Sequence, residues 1–237
     1  MSAPVLIAPG VYRFPTLGDF INTIAFVEDD GSVTLVDCGI KQAPPKIVAA
    51  LKHIGKAPQD VQKIVLSHAH PDHAGGAAEM VTKTGIDGVD VSEEDAGYAT
   101  SGRSPDRDAP RLIAQIFTRL GTEKFPPVPV ANRLVDGQLI EIAGGLRVFH
   151  TPGHTPGHLS FVHEPTRTLI TGDSIWNMAS RMTWPVPMLC TSFELTKKTA
   201  HVLGELEYDT AVFTHGPEIS KGAREAVRGF LKRKHAW

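Results

Sequence analysis

Four side chains that can bind metal ions lie within six residues of one another in the run His68-x-His70-x-Asp72-His73. In an extended chain, side chains two positions apart share a face, so His68 and His70 can bind one ion together. Pro71 turns the chain, and Asp72 and His73 can therefore point to a second position close by. Imidazole and carboxylate are ligands that Zn²⁺, Fe²⁺ and Mn²⁺ accept. This spacing predicts a metal site.

Three further candidate ligands follow short apolar segments. They are His154 after Leu146–His150, Asp173 after Thr168–Thr171 and His215 after Ala211–Phe213. Each lies beside a Gly or a Pro, and loops at strand ends are places where a rigid scaffold carries functional residues. A carboxylate at Asp173 can lie between two cations and offset their repulsion. Together with the first run, these residues predict one site for two metal ions.

The elements that must position these residues alternate short β-rich runs with helical periodicity. Strands are predicted at Asn22–Val27, Ser32–Val36, Lys63–Leu66, Val89–Ser92, Asn132–Val135, Leu139–Ile142, Leu146–His150, Leu159–Val162, Thr168–Thr171 and Ala211–Phe213. Helices are predicted at Ala43–Ile54, Ala77–Thr84, Arg111–Leu120, Phe193–Leu206 and Glu218–Lys232. The Gly- and Pro-rich stretch 93–129 is too short for its own core. We interpret it as a cap-like insertion in a single domain, 1–237.

Composition narrows the class of protein. The chain has 237 residues and a net charge of −2, so it lacks the basic excess typical of nucleic-acid binding. No stretch approaches the roughly 18 apolar residues of a membrane span, and no signal peptide is visible. Two cysteines cannot build a disulfide scaffold. We therefore expect a cytoplasmic protein with a small-molecule substrate and no nucleic-acid or membrane partner. A homodimer remains open.

The HxHxDH run, the later His154, the Gly-Asp pair at Asp173 and Thr-His-Gly at His215 together resemble the metallo-β-lactamase-fold hydrolases, in particular the glyoxalase II-like and lactonase-like branch. The resemblance extends from the strand at 33–39 over nearly the whole remaining chain. It implies an α/β (α+β) fold, a four-layer αββα sandwich of two mixed sheets with helices outside.

The resemblance also implies roles for the individual ligands. His68, His70 and His154 hold the first metal, Asp72, His73 and His215 hold the second, and Asp173 bridges them. Asp37 matches the Val-Asp-x-Gly strand end of the family and is expected to support a ligand histidine. His158 is expected to be a structural or supporting residue. Cys38 is expected to be a small buried residue, and neither cysteine has a motif that indicates a nucleophile.

Two divalent ions, expected to be zinc with iron or manganese as alternatives, would supply a bridging hydroxide at neutral pH. Asp72 would orient it or carry its proton. Such a site suits esters, thioesters, lactones, lactams and phosphodiesters. We favour a thioester or lactone. The alternatives are β-lactamase activity, a single-iron sulfur dioxygenase of the same fold, or a metal-stabilised binding protein.

Two features leave the choice between thioester and lactone open. Glyoxalase II-like enzymes usually carry a longer C-terminal region than the 22 residues after His215. Lactonases typically have a tyrosine three residues after the bridging Asp, where this chain has Trp176.

Five large apolar residues of the chain are expected either to line a substrate pocket or to pack in the core. They are Phe20, Trp176, Met178, Trp184 and Met188.

Overall fold

The structure is a computed structural model that describes residues 3–110 and 123–233. Seven strands from the first part of the chain form one sheet in chain order. They are β1 (Val5–Ala8), β2 (Val11–Pro15), β3 (Asn22–Val27), β4 (Val33–Val36), β5 (Val61–Val65), β6 (Val89–Ser92) and β7 (Val130–Leu134). Strands β1 to β4 pair antiparallel, whereas β4 to β7 pair parallel. This sheet is therefore mixed.

A second mixed sheet comes from the later part of the chain. Its strands are β8 (Leu139–Ile140), β9 (Leu146–His150), β10 (Leu159–His163), β11 (Thr168–Ile170) and β14 (Thr210–Val212), in the order β14-β11-β10-β9-β8. Only β11 and β14 pair parallel among these five strands of the described chain. Strands β12 (Trp176–Met178) and β13 (Arg181–Thr183) form a separate hairpin.

Helices cover the outer faces of both sheets. Those against the first sheet are α1 (Pro44–His53), α3 (Ala77–Thr84) and α4 (Glu93–Ser101), and α2 (Pro71–Ala74) is a single turn after β5. Against the second sheet lie α5 (Phe193–Ala200) and α6 (Ala223–Leu231). Among the described residues, no helix combines the length and the apolar character needed to cross a membrane.

Alternation along the strands explains the layers. In β3, Ile24 and Phe26 face the interior between the sheets, whereas Ala25 faces the helices. In β11, Ile170 points between the sheets and Leu169 points to the outer helices. Because successive strand residues point to opposite faces, strands with apolar residues at every position bury both faces. Helix, sheet, sheet and helix thus stack as the predicted αββα sandwich.

The local sequence determines where helix α4, which supports the site, begins and ends. The Ser92 hydroxyl accepts a hydrogen bond from the Asp95 amide (3.1 Å), which caps the helix at its start. Acidic residues in the first turn favour the helix dipole, and Gly102 ends the helix in the left-handed conformation. The cap places the Asp95 side chain on the buried side.

The structure changes several predicted boundaries. The closing helix begins at Ala223 and not at Glu218, because Ile219 pairs with Ala211 as an isolated bridge and Gly222 is left-handed. The helix predicted over Phe193–Leu206 ends at Ala200 and continues as a 3₁₀ turn, His201–Gly204. The predicted helix Arg111–Leu120 lies outside the described residues. The cap interpretation of 93–129 stays a prediction.

Candidate metal centre

Loops at one end of the sandwich bring all seven predicted ligands together. The run from His68 to His73 follows β5 and includes α2. His154 lies between β9 and β10, Asp173 lies in a 3₁₀ turn after β11, and His215 follows β14. Both sheets therefore contribute ligands to one centre.

Three histidines form the first group. The distance from His68 Nε2 to His70 Nδ1 is 3.1 Å, and His70 Nδ1 lies 2.9 Å from His154 Nε2. All three side chains are buried, and their ligand atoms lie within 4.8 Å of one another. Three ring nitrogens facing one point suit a single cation.

Asp72, His73 and His215 form the second group. His73 Nε2 lies 3.3 Å from His215 Nε2, and Asp72 Oδ2 lies 3.4 Å from His215 Nε2. Asp72 is the more exposed member, with 37% of its side chain accessible, whereas both histidines are buried. The Asp72 carboxylate thus belongs to the second group and also reaches solvent.

Asp173 lies between the two groups. Its Oδ2 is 3.1 Å from His154 Nε2 in the first group and 3.3 Å from His215 Nε2 in the second. Its Oδ1 accepts a hydrogen bond from the Thr214 hydroxyl (2.7 Å), which fixes the carboxylate. Asp173 therefore contacts histidines of both groups, and its bridging of two ions stays a prediction.

Four of the five predicted ligand histidines have a protein partner at the ring nitrogen that faces away from the centre, whereas His70 Nε2 has none among the described residues. His73 Nδ1 donates to Asp37 Oδ2 (2.9 Å), and His68 Nδ1 donates to the Ser67 hydroxyl (3.0 Å). The Ser67 hydroxyl donates in turn to the same Asp37 oxygen (2.7 Å). Asp37 therefore fixes one histidine of each group and leaves both inward nitrogens as acceptors.

His215 and His154 also have a partner at the ring nitrogen that faces away from the centre. His215 Nδ1 donates to the Phe20 carbonyl (2.6 Å), and His154 Nδ1 lies 3.4 Å from Cys190 Sγ. Their inward Nε2 atoms are again left with lone pairs that converge. Lone pairs that face one another at 2.9–3.3 Å are satisfied by a cation between them, so the residues present fit a bound metal.

The carboxylates of the site also favour a bound cation. Burial lowers the pKa of His68 and His70. Burial acts the same way on His73 and His215, but Asp173 and Asp72 outweigh it and raise the pKa of both, to about 9 for His215. Without a metal, protons on these two rings balance the carboxylates, and a divalent cation would displace them.

His158 supports the centre through the backbone. Its Nε2 accepts a hydrogen bond from the Asp173 amide (2.7 Å), and its Nδ1 donates to the Thr151 carbonyl (3.1 Å). Burial and the nearby His154 lower the pKa of His158 to about 3, so the ring is neutral and can accept. The residue orients the turn that carries Asp173.

Sequence reasoning missed Asp95. This buried carboxylate accepts hydrogen bonds from Ala69 N (2.8 Å), Thr155 Oγ1 (2.7 Å) and Gly157 N (2.8 Å). Ala69 lies between two first-group ligands, and Thr155 follows His154. Asp95 thus ties together the two loops that form the first group. The serine-capped acidic start of α4 is a local signal for the helix, but nothing local indicates the contact.

A cavity of about 420 Å³ opens onto the centre. Its lining residues are Ile40, His70, Pro71, Asp72, Arg107, His154, Asp173, Trp176 and Leu189. Trp176 is the one of the five predicted pocket residues that lines it in the described chain. The Trp176 ring lies 4.6 Å from the His215 ring.

The other predicted pocket residues lie elsewhere. Trp184 packs on the Phe230 ring (4.8 Å) outside the second sheet, because α6 presents an apolar face there. The Phe20 side chain is 62% exposed, and its carbonyl is the group that meets His215. Met178 and Met188 are absent from the described lining of this cavity.

Comparison with known proteins places the chain in a family. The sequence model of the metallo-beta-lactamase superfamily matches residues 17–215. Among curated proteins, YobT of Bacillus subtilis is 29% identical over 91% of this chain and 92% of its own length. An N-acyl homoserine lactonase of a Bacillus species is 30% identical over 52% of this chain and 41% of its own length. The hydroxyacylglutathione hydrolase GloC of Haemophilus influenzae is 24% identical over 63% of this chain and 64% of its own length.

A solved structure agrees with the sequence matches. A metallo-beta-lactamase family protein of Thermus thermophilus superposes with a TM-score of 0.72 and 26% identity, covering 95% of this chain and 79% of that one. The family match spans the predicted ligand run from His68 to His73, together with Asp173 and His215, and these residues meet in the structure. The chain belongs to the metallo-beta-lactamase superfamily and is a metal-dependent hydrolase.

Proposed function

We propose that this protein hydrolyses a thioester or a lactone in a small molecule, with two divalent cations, expected to be zinc, at the centre described above. The observation that carries the proposal is the cavity of about 420 Å³ that joins both ligand groups to an apolar wall. A cavity of this size suits a small molecule with an acyl part. The lactonase and the hydroxyacylglutathione hydrolase among the relatives support the same class of substrate.

His68, His70 and His154 would hold one cation, Asp72, His73 and His215 the other, and Asp173 both. When bound, the cations would polarise the acyl carbonyl and lower the pKa of water at the site. In the hydrolysis, the water oxygen bonds to the acyl carbon and the C–S or C–O bond breaks. A thioester yields a carboxylic acid and a thiol, and a lactone yields a single hydroxy acid.

Asp72 is the residue that moves the proton in this proposal. Its Oδ2 faces His73 and His215, which leaves Oδ1 to accept a proton from water and pass it to the leaving atom. The carboxylate also lines the cavity, within reach of a substrate. Burial raises the pKa of Asp72, but His73 and His215 outweigh it and hold it below its usual range, so the carboxylate is ionised at neutral pH.

The test compares kcat/KM of zinc-loaded protein on acyl lactones and glutathione thioesters that carry the same acyl chain. Asp72→Ala should reduce the favoured activity roughly 10²–10⁴-fold, the range for a lost proton-transfer group. Asp87→Ala removes an exposed carboxylate and serves as the matched control. Activity that is equal in both variants comes from a contaminant and overturns the proposal.

The outcome on each substrate has a definite meaning. A lactone preference shows that Trp176 replaces the tyrosine of lactonases without loss of ring opening. A thioester preference identifies thioesters as the substrate class of this protein. Hydrolysis of neither overturns the proposal, and β-lactam cleavage and metal content are then measured, since one bound iron would indicate the dioxygenase.

A further inference from the structure

A basic side chain lies in the wall of the cavity at the metal centre. Arg107 lines the cavity with His70 and Asp72 from the first ligand run. Asp72 and Glu123 are carboxylates near enough to stabilise its charge, and a guanidinium stays protonated throughout the range in which proteins fold. The cavity therefore carries a permanent positive charge that is separate from the predicted metal ligands.

The backbone around Arg107 is fixed to the metal centre. The residue after it donates its amide hydrogen to the Cys190 carbonyl (2.8 Å), and the residue before it accepts from the Thr191 hydroxyl (2.9 Å). The Thr191 amide donates to the His154 carbonyl (3.0 Å), and Cys190 Sγ lies 3.4 Å from His154 Nδ1. These contacts hold Arg107 at a set place relative to a ligand of the first group.

The wall around Arg107 is apolar. It consists of Ile40, Pro71, Trp176 and Leu189, and the polar remainder of the lining belongs to the predicted ligands. Such a wall binds the hydrocarbon part of a substrate, whereas a guanidinium binds a carboxylate through two parallel hydrogen bonds. The two features together indicate a substrate that has an apolar body and an anionic end.

We propose that Arg107 binds a carboxylate group carried by the substrate, so that the protein prefers negatively charged thioesters or lactones over neutral ones of the same shape. This inference rests on the proposed function for the reaction but adds a residue and a charge requirement to it. Arg107 would act on specificity, because it contacts the substrate away from the acyl carbon that reacts.

The test uses pairs of thioesters that differ in one group. Succinyl and succinamoyl thioesters of N-acetylcysteamine place a carboxylate or a neutral amide on the acyl side. Butyryl thioesters of mercaptopropionate and mercaptopropionamide do the same on the thiol side. We expect a preference in kcat/KM of roughly 10- to 100-fold for one carboxylate substrate over its amide, the range for hydrogen bonds to charged groups.

Variants identify the residue responsible. In Arg107→Gln the carboxylate-to-amide ratio should fall towards one, and Arg107→Lys should restore part of it. Arg103→Gln makes the same charge change at an exposed arginine of the same segment and should keep the full ratio. No carboxylate preference in the parent protein on either side, or a ratio that survives in Arg107→Gln, overturns the inference.

A binding measurement separates this inference from the proposed function. Succinate and succinamate share one carboxylate and differ in the second, and their affinity for the zinc-loaded protein can be followed by tryptophan fluorescence with no turnover. Tighter binding of succinate that is lost in Arg107→Gln supports the subsite even if no thioester or lactone is cleaved. Equal affinity for the two compounds overturns it.

Discussion

At the scale of single residues, four of the five histidines at the metal centre have a partner that holds the ring nitrogen facing away from it. A neutral imidazole has one donor and one acceptor, so a partner that accepts at Nδ1 leaves Nε2 as a ligand. Asp37 does this for His73 directly and for His68 through the Ser67 hydroxyl. Cys190 lies at the same position for His154. The tautomers of these three histidines are therefore fixed by residues outside the predicted ligand set, whereas His70 Nε2 has no hydrogen-bond partner within the described chain.

Asp95 provides a test of such support. Asp95→Asn replaces one acceptor oxygen by an NH₂ group, which then faces an N–H or O–H donor. At least one of the three hydrogen bonds to Asp95 is therefore lost, and the donor that made it stays buried without a partner. We expect the metal-free protein to lose roughly 1–3 kcal/mol of unfolding free energy in urea, and zinc affinity to fall as well. Glu94→Gln is the same chemical change at an exposed position of α4. Equal urea midpoints for the two variants would contradict this role.

His163 should make stability depend on pH. Its Nε2 donates to the Ala143 carbonyl (2.8 Å), its Nδ1 accepts from the Thr166 hydroxyl (2.7 Å), and its ring packs on Phe26. Burial lowers its pKa, and the Ala143 carbonyl and Glu28 offset only part of this. The unfolded chain therefore takes up the proton first, and stability is lost as pH falls below about 6.5.

Replacing His163 isolates that effect. The difference in unfolding free energy between the parent protein and His163→Gln should shrink as pH falls from 7 to 5, by at most about 1.4 kcal/mol per pH unit. Urea unfolding at closely spaced pH values measures it. Parallel curves for the two proteins would show that this ring does not titrate between the folded and unfolded states.

At the scale of elements, the centre is built from loops that must turn sharply after a strand. Gly216 follows the ligand His215 with φ +105°, a left-handed backbone that a residue with a Cβ rarely adopts. A Cβ there would also lie 2.0 Å from the Asn177 carbonyl oxygen, which belongs to the β12–β13 hairpin. The glycine lets the hairpin approach the ligand loop.

Gly216→Ala should therefore lower the free energy of unfolding by more than backbone strain alone would. Strain is worth roughly 1–2 kcal/mol, and Gly85→Ala measures it because Gly85 has φ +79° with open space around its Cα. We expect Gly216→Ala to destabilise the metal-free protein well beyond Gly85→Ala, and to weaken zinc binding where Gly85→Ala leaves it unchanged. The loss of stability is measured by urea unfolding and the affinity by zinc titration. Similar losses for the two variants would show that the hairpin moves away without cost.

The elements also show what could be predicted from the sequence. The predicted ligand run from His68 to His73 is visible in the sequence because its signal is local, and short apolar segments indicate the strands before each later candidate ligand. Asp95 and Arg107 carried no such signal, because their partners lie far along the chain. The sequence predicts too early a start for the closing helix because Glu218 and Ile219 fit a helical pattern, although Ile219 pairs with a strand. Tertiary contacts outweigh local preference at such positions.

At the scale of the whole molecule, the two sheets meet at their ligand-bearing ends. The first sheet supplies the run from His68 to His73, and the second supplies His154, Asp173 and His215. Buried hydrogen bonds join the two sheets there: Asn22 Nδ2 donates to the carbonyls of Phe213 (3.0 Å) and Gly216 (2.8 Å). Each group combines residues from both sheets, so a cation bound by either group would add a cross-link between the sheets.

Metal binding should therefore stabilise the whole fold as one unit. A ligand that binds only the folded state adds about 4 kcal/mol at a free concentration of a thousand times its Kd, so zinc should raise Tm strongly and chelation should reverse the rise. Calcium is the matched control, because it prefers oxygen ligands and this centre is mainly imidazole. Calorimetry of the metal-free protein with zinc or calcium should show one sharper transition at higher temperature for zinc alone. If the Tm were the same with either ion, the converging histidines would not form a metal site, because folded-state binding has to raise Tm whatever reaction the protein catalyses.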